Sequence, residues 1–389
     1  MTTDPIQLLP ADYFVTTHQF TKAVHRDQYP SIDPASPKLS QKGKTVIVTG
    51  ASQGIGKAIA LAFAKADAAR IVLASRSGQK LGATKQELLK INRNLDVLVL
   101  PTDTTSEESV NHLEETVKSK FGIPDVLVNG AGIWAGGDTI IGESNPKDWW
   151  TDFEVNVKGS YLMCRAFLRL VGLEKEATIV NVNTWGMLST GPVGTSYPIS
   201  KLALARLSEA IPSAYPKVSS MNYHPGMTVT EMAELHPQVL HFCKDTVELP
   251  AGTAVYLASP HAQFLSGRYM SANWDVDDLE AKKDEIIEKN LLKMDLKGEF
   301  GSAVATTPFS TTVLYPAKEG AKFDMDYLLS SHMPLAMKHW AQYGLKGYEI
   351  TQYEPIGEQK PLYSAQVVMK WDRPESVEMA MRAPEAQIV

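Results

Sequence analysis

From Lys44 to about Asp275 the chain alternates short apolar runs with stretches whose apolar residues recur at helical spacing. The runs Thr45–Thr49, Arg70–Ser75, Asp96–Pro101, Val126–Asn129, Thr178–Asn183 and Val218–Tyr223 are predicted strands, with Gly267–Ala272 as a seventh candidate. Most are apolar on both faces and are followed by turn or helix signals. Strands buried on both faces and separated by helices predict an α/β fold built on a doubly wound parallel sheet.

The flanks have other textures. Residues 1–43 carry Pro5, Pro10, Pro30, Pro34 and Pro37 among Tyr13, Phe14, Phe20 and Tyr29. This predicts an extended arm with one short helix around Ala11–His25, lying on the main body or on a neighbouring subunit. Asp275–Phe300 is highly charged, with Leu279, Ile286, Ile287 and Leu291 in near-helical register, and is expected to be a solvated helix leading to a linker near Gly298–Thr307. Beyond it the pattern reads strand Phe309–Tyr315, helix Asp324–Tyr343, strands Leu345–Tyr353 and Tyr363–Trp371, and helix Glu375–Met381. The expected organisation is an arm (1–43), a nucleotide-type sheet domain (44–278), a charged helix and linker (279–308) and a small α+β domain (309–389).

Composition narrows the function. The chain has 389 residues, 44% hydrophobic and 21% charged, with a net charge of −6 and no Lys/Arg-rich run, which argues against nucleic acid as a partner. Cys164 and Cys243 have no CxxC spacing, which fits a reducing compartment. Without a long apolar stretch or a secretory or transit signal, the expectation is a soluble, cytoplasmic protein with no membrane partner. No histidine pair shows zinc-ligand spacing with a third ligand, so no metal is expected.

The first strand runs into Gly50-Ala51-Ser52-Gln53-Gly54-Ile55-Gly56, and an Ala-rich helix follows. Glycines permit the tight turn and close backbone approach by which a pyrophosphate settles on a helix N-terminus, as in Rossmann-type folds. The next strand ends in Ser75-Arg76 without an acid, where a base can pair with a ribose 2′-phosphate. The expected cofactor is therefore NADP(H) in preference to NAD(H), with Arg76 on the phosphate.

Tyr197-Pro198-Ile199-Ser200-Lys201 puts a phenol and an ammonium on one helix face. A nearby cation draws down a phenol whose free pKa lies near 10. Thr184 follows a buried strand, Asn129-Gly130-Ala131-Gly132 closes another, and Asn156 sits in Val155-Asn156-Val157-Lys158-Gly159. With the glycine turn and Pro225-Gly226, these motifs stand in the order and near the spacing of the short-chain dehydrogenase/reductase family, classical type, which the chain resembles over about Lys44 to Asp275.

The resemblance implies an oxidoreductase in which Tyr197 is the general acid or base, Lys201 lowers its pKa and holds the nicotinamide ribose, Thr184 bonds the substrate oxygen and Asn156 completes a water-linked proton relay. It further implies nucleotide contacts from Gly50, Ser52, Gln53, Gly54, Ile55, Gly56, Ser75, Arg76, Asp103, Thr104, Asn129, Ala131 and Gly132, and from Pro225, Gly226, Thr228 and Thr230 beside the nicotinamide. Three positions depart from the family pattern: Thr184 stands for the usual Ser, Gly130 for a second Asn, and Pro198 requires the helix to begin close to Tyr197.

Trp134, Trp185, Met187, His224, Met227 and Met232 are candidate pocket residues, and they suggest an apolar or aromatic small-molecule substrate. The expected activity is a ketoreductase, or secondary-alcohol dehydrogenase, of secondary or xenobiotic metabolism, expected as a homo-oligomer, dimer or tetramer.

Val313-Leu314-Tyr315-Pro316, Phe323-Asp324-Met325-Asp326-Tyr327 and His332-Met333-Pro334 resemble the EthD-like family of ferredoxin-like domains, which pair as dimeric α/β barrels. That resemblance makes His332 a candidate acid–base residue, beside the plainer reading of a packed histidine. It also leaves open an alternative function as a non-redox dehydratase or cyclase on a polyketide-like substrate, or assembly alone. A ferredoxin-like unit needs a fourth strand, and Ala383–Val389 is too short and carries Pro384, so another segment of this chain or of a partner subunit is expected on the bare edge.

Overall fold

The computed structural model describes residues 8–191, 194–295, 309–317, 323–355, 361–372 and 374–383. The expected linker near Gly298–Thr307 and the stretch from Pro384 onward lie outside the described residues. The chain divides into two compact units, Met1–Met294 and Asp295–Val389.

In the first unit seven strands form one sheet: β1 (Thr45–Thr49), β2 (Arg70–Ser75), β3 (Asp96–Pro101), β4 (Val126–Asn129), β5 (Ala177–Val182), β6 (Val218–His224) and β7 (Tyr269–Ser271). Their order is β3-β2-β1-β4-β5-β6-β7, and every pairing is parallel. Alternation along each strand feeds two separate cores. Val46, Val48, Ile71 and Leu73 pack with Ile59 and Phe63 of the helix Gly54–Lys65 and with Val255 of Glu248–Leu257. On the opposite face Ile47, Val72, Leu127 and Ile179 pack with Val110 and Leu113 of Glu107–Phe121 and Phe167 of Ser160–Val171. This is the doubly wound arrangement that two apolar strand faces require.

Strand order reverses between β1 and β4, and there the loops after the two strands close on each other. A Cβ on Gly50, whose φ is +68°, would lie 2.7 Å from the Gly130 carbonyl oxygen, and one on Gly130 would lie 2.7 Å from the Thr49 carbonyl oxygen. The glycine at 130 thus has a packing reason of its own: any side chain there meets the backbone of β1.

The arm packs on its own chain. Val24 bridges Trp274 antiparallel, and the His25 N–H donates to the Asn273 carbonyl (2.8 Å). The Trp274 indole N–H donates to the His18 carbonyl (2.7 Å), and the Ile32 side chain joins the main core. The charged stretch departs from the expected solvated helix. It forms two short helices, Val276–Ala281 and Lys283–Glu288, whose Leu279 and Ile286 are fully buried in the core of the first unit. Its acids serve the arm: Asp278 accepts the Lys22 and Ala23 N–H groups, and Asp275 pairs with His25 at 2.7 Å.

The second unit holds an antiparallel sheet of β8 (Phe309–Pro316), β9 (Leu345–Gln352) and β10 (Tyr363–Trp371), in the order β8-β10-β9. Ala365, Val367, Met369 and Trp371 of β10 form a core with Leu328, Met333, Ala336 and Trp340. The expected long helix is continuous but mixed, with a π-turn over Leu328–His332 before α-helix Met333–Trp340. Among the described residues β8 pairs with β10 alone, and Phe309, Val313 and Leu314 on it are exposed.

Candidate active site

A cleft of about 1030 Å³ opens at the strand-order reversal, where doubly wound folds bind ligands. One end is lined by Gly50, Ser52, Gln53, Gly54, Ile55 and Gly56. A Cβ on Gly56 would lie 2.4 Å from the Gly50 carbonyl oxygen, so the turn folds back on itself and aims the start of the helix Gly54–Lys65 into the cleft. Ser75 and Arg76 line the neighbouring wall, and the Ser75 hydroxyl is buried with no hydrogen-bond partner among the described residues. Asp103 and Thr104 follow β3 into the same cleft. The Thr105 N–H and hydroxyl, bonded to Asp103 at 2.9 and 2.8 Å, hold its carboxyl below the usual range, with lesser help from Arg76 and Lys158.

Two bases rather than one stand at this end. Lys80 also lines the cleft, in the first turn of the helix Gly78–Ile91, whose N-cap is Ser77. It donates to the Gln53 side-chain carbonyl, and the Gln53 amide donates to Glu231 on the opposite wall. The spacing of Lys80, four residues after Arg76, is a signal that could have found it from sequence. A glycine cradle that side chains would fill, a helix start, an unpartnered hydroxyl and two cations together fit a nucleotide with an added phosphate.

At the other end Tyr197 and Lys201 line the cleft with Ala131, Gly132, Val182, Asn183, Pro225 and Thr230. The helix Ser196–Ala214 begins one residue before Tyr197, so Pro198 falls in its first turn, where the missing N–H is not needed. The Lys201 ammonium donates to the Val182 carbonyl at 2.9 Å and lies 5.8 Å from the Tyr197 ring centroid. Burial draws Lys201 down to about 8, opposed by Asp152. Burial, and then Asp152, pushes the Tyr197 phenol upward. The ammonium is turned to a backbone carbonyl, and desolvation of the phenol is the largest influence on Tyr197.

Thr184 caps the short helix Trp185–Leu188, and its hydroxyl oxygen accepts the Gly186 N–H at 3.1 Å. Asn156 sits in a π-turn, Glu154–Gly159, fully buried. Its amide clasps Ile133 through both main-chain groups (2.9 Å each) and donates to Ser200 (3.0 Å). Asn129 is not on the cleft wall: its amide is turned inward to Asn181 (2.9 Å) and the Cys164 sulfur (3.2 Å). Gly226 and Thr228 also stay behind the wall, where Thr228 forms a parallel bridge with Asp245.

Five of the six candidate pocket residues lie outside this cleft's lining, each for a packing reason. Trp185 is covered by the arm, with Phe14 stacked at 4.4 Å and His18 at 4.6 Å. Met187 belongs to the main core. Burial and then His18 draw His224 down to about 3, and its Nδ1 has no partner among the described residues. The Met227 N–H is held by Asp245 at 2.6 Å. Trp134 comes nearest, stacked between Tyr197 (5.4 Å, 17°) and His236 (3.8 Å, 13°). Met232 does line the cleft. In the second unit His332 is half-buried in the π-turn, its ring 6.1 Å from that of Tyr327.

Comparison with known proteins decides the family. The family model described as short chain dehydrogenase matches residues 44–238. The chain belongs to the short-chain dehydrogenase/reductase family. It is 40% identical over 283 residues to short chain dehydrogenase mpl6 of Monascus purpureus, covering 70% of this chain and 94% of that one. It is 37% identical over 286 residues to short chain dehydrogenase tazN of Aspergillus terreus, covering 71% and 60%. A dehydrogenase/reductase from Sinorhizobium meliloti superposes with a TM-score of 0.55 at 25% identity, covering 60% of this chain and 95% of its own. Levodione reductase shares the fold at a TM-score of 0.56 and 20% identity, over 60% and 96%. This short-chain dehydrogenase/reductase is thus an oxidoreductase of a family that uses NAD(P) nucleotides and small-molecule substrates. Among its described residues no helix is long and apolar enough to cross a membrane.

Proposed function

We propose that the protein is an NADP(H)-dependent ketoreductase, or secondary-alcohol dehydrogenase in reverse, acting on a mid-sized apolar or aromatic substrate in secondary or xenobiotic metabolism. The observation that carries this reading is the meeting of the Tyr197/Lys201 pair and the glycine turn with its Arg76/Lys80 cations in one cleft. When bound, the nicotinamide nucleotide supplies hydride to the carbonyl carbon in reduction and takes it in oxidation. Tyr197 gives its phenolic proton to the carbonyl oxygen in reduction, and takes the alcohol proton in oxidation. Lys201 stabilises the phenolate left behind. Thr184, whose oxygen already accepts from Gly186, keeps its own proton to donate to the substrate oxygen. Asn156 joins them as the relay residue, and its hold on Ile133 keeps the wall next to Lys201 in place.

The turn Gly50–Gly56 takes the pyrophosphate, Ser75, Arg76 and Lys80 the 2′-phosphate, Asp103 and Thr104 the adenine side. Ala131 and Gly132 line the nucleotide, backed by Asn129, with Pro225 and Thr230 beside the nicotinamide, backed by Gly226 and Thr228. Trp134 stacked on Tyr197 supports an aromatic or apolar substrate. The test is oxidation of NADPH, followed by its absorbance, with a panel of aromatic and decalin-type ketones; no turnover across the panel would sink the substrate class. Arg76→Ala is expected to weaken NADPH binding about tenfold while leaving NADH nearly unchanged, by loss of a charge-assisted contact. Equal loss for both nucleotides in a fluorescence titration would assign Arg76 no phosphate role.

For the second unit we propose an EthD-like domain within a homo-oligomer, a dimer or tetramer, whose bare β8 edge is covered by another segment. Light scattering at micromolar protein should then report an oligomer, and a monomer with fast amide exchange along β8 would reject it.

A further inference from the structure

Asp152 is a carboxylate with no solvent exposure, on the helix Pro146–Phe153 one turn before the Asn156 π-turn. Its Oδ1 accepts the Ala135 N–H at 2.7 Å, and its Oδ2 accepts the Gly136 N–H at 3.3 Å and the Ser196 hydroxyl at 2.5 Å. Ser196 is the first residue of the helix that carries Tyr197 and Lys201. A Cβ on Gly136 would lie 1.9 Å from the Ser196 oxygen, so the loop after β4 approaches this helix start as closely as glycine allows. Three neutral donors, two backbone N–H groups and one hydroxyl, satisfy this buried carboxylate. Among the described residues no cation forms an ion pair with Asp152.

We propose that Asp152 is a positioning residue for the Tyr197/Lys201 pair: it clamps the helix start to the loop that carries Trp134 and sets a fixed negative charge beside both groups. The inference rests on the reading of Tyr197 and Lys201 given above. Neutral phenol and charged lysine are the forms that carbonyl reduction requires, and a negative charge favours both over their deprotonated forms. This agrees with the direction in which Asp152 shifts each of them. The other charges near the clamp are arranged among themselves. Glu154 pairs with Lys158 at 2.9 Å, Asp138 lies 3.6 Å from His236, and Asp148 is exposed on the same helix as Asp152.

The experiment is the pH profile of kcat/KM for NADPH-dependent reduction by the full chain, in wild type, Asp152→Asn, Asp152→Ser, Ser196→Ala and Tyr197→Phe. Removing the charge is expected to move the alkaline limb down by about one pH unit. Ser196→Ala, which keeps the charge and loses one hydrogen bond, is expected to lower kcat with the limb in place. A folded Asp152→Asn or Asp152→Ser enzyme with an unmoved limb overturns the proposal while the Tyr197 reading stands. Activity retained in Tyr197→Phe overturns both. If neither Asp152 variant folds while Ser196→Ala folds and keeps its limb, Asp152 serves the fold alone and the proposal fails.

Discussion

Tyr197→Phe is expected to lower kcat for ketone reduction by about 10²- to 10⁴-fold, the usual range for removing a general acid, with NADPH affinity nearly unchanged. Phenylalanine keeps the ring that stacks on Trp134 and loses only the proton donor. The fold should therefore survive, and thermal melting would confirm that the loss is chemical. The same site predicts a pH dependence. Lys201 is drawn down to about 8 by burial, so it is charged below that pH and neutral above it. A reduction that needs the ammonium to stabilise the phenolate should lose kcat/KM as pH rises through about 8. A profile flat to well above that pH would remove Lys201 from the mechanism. Full activity in Tyr197→Phe, with activity lost in His332→Ala, would move the chemistry to the second unit.

The sheet was legible because its strands are continuous apolar runs closed by turns. The bounds of β1 to β4 coincide with the runs read from sequence, since each strand is a continuous apolar run and β1 and β4 are buried along their whole length. The glycine turn and the Tyr-Lys pair were legible for a different reason: each is local, within seven residues, and spacing alone places it. What sequence could not place depends on distant partners. Asp152 meets Ser196 across 44 residues and Asp245 meets Met227 across 18, and neither carboxylate carries a local signal. Trp185 directly follows Thr184, yet Phe14 of the distant arm stacks on it. The charged stretch misled for a related reason. Two of its acids, Asp275 and Asp278, face a histidine and N–H groups of the arm, and Leu279 and Ile286 between the charges are buried, so the stretch forms a seam with the arm.

That seam leads to the second large effect: Arg26→Ala is expected to cost about 3 kcal/mol of stability, within the range for breaking a buried ion pair. Arg26 Nε donates to Asp245 at 2.6 Å, and the Asp245 side chain has no solvent exposure, against 28% for Arg26. The same carboxylate accepts the Met227 N–H at 2.6 Å and the Asn273 amide at 3.1 Å, while a Cβ on Gly226 (φ +83°) would lie 2.5 Å from it. Truncating Arg26 leaves a buried charge with two neutral donors, and water entering the partly exposed space that Arg26 vacates keeps the cost at the lower end of that range. The consequence is not confined to stability. Asp245 fixes the Pro225–Thr228 turn, which the proposed function sets beside the nicotinamide, so KM for NADPH should rise several-fold while kcat at saturation changes less. Arg26→Lys restores a cation without the Nε geometry and should recover only part of the loss. If Arg26→Ala melts at the wild-type temperature with an unchanged KM, the arm is merely attached; if both move together, it is a working part of the nucleotide site.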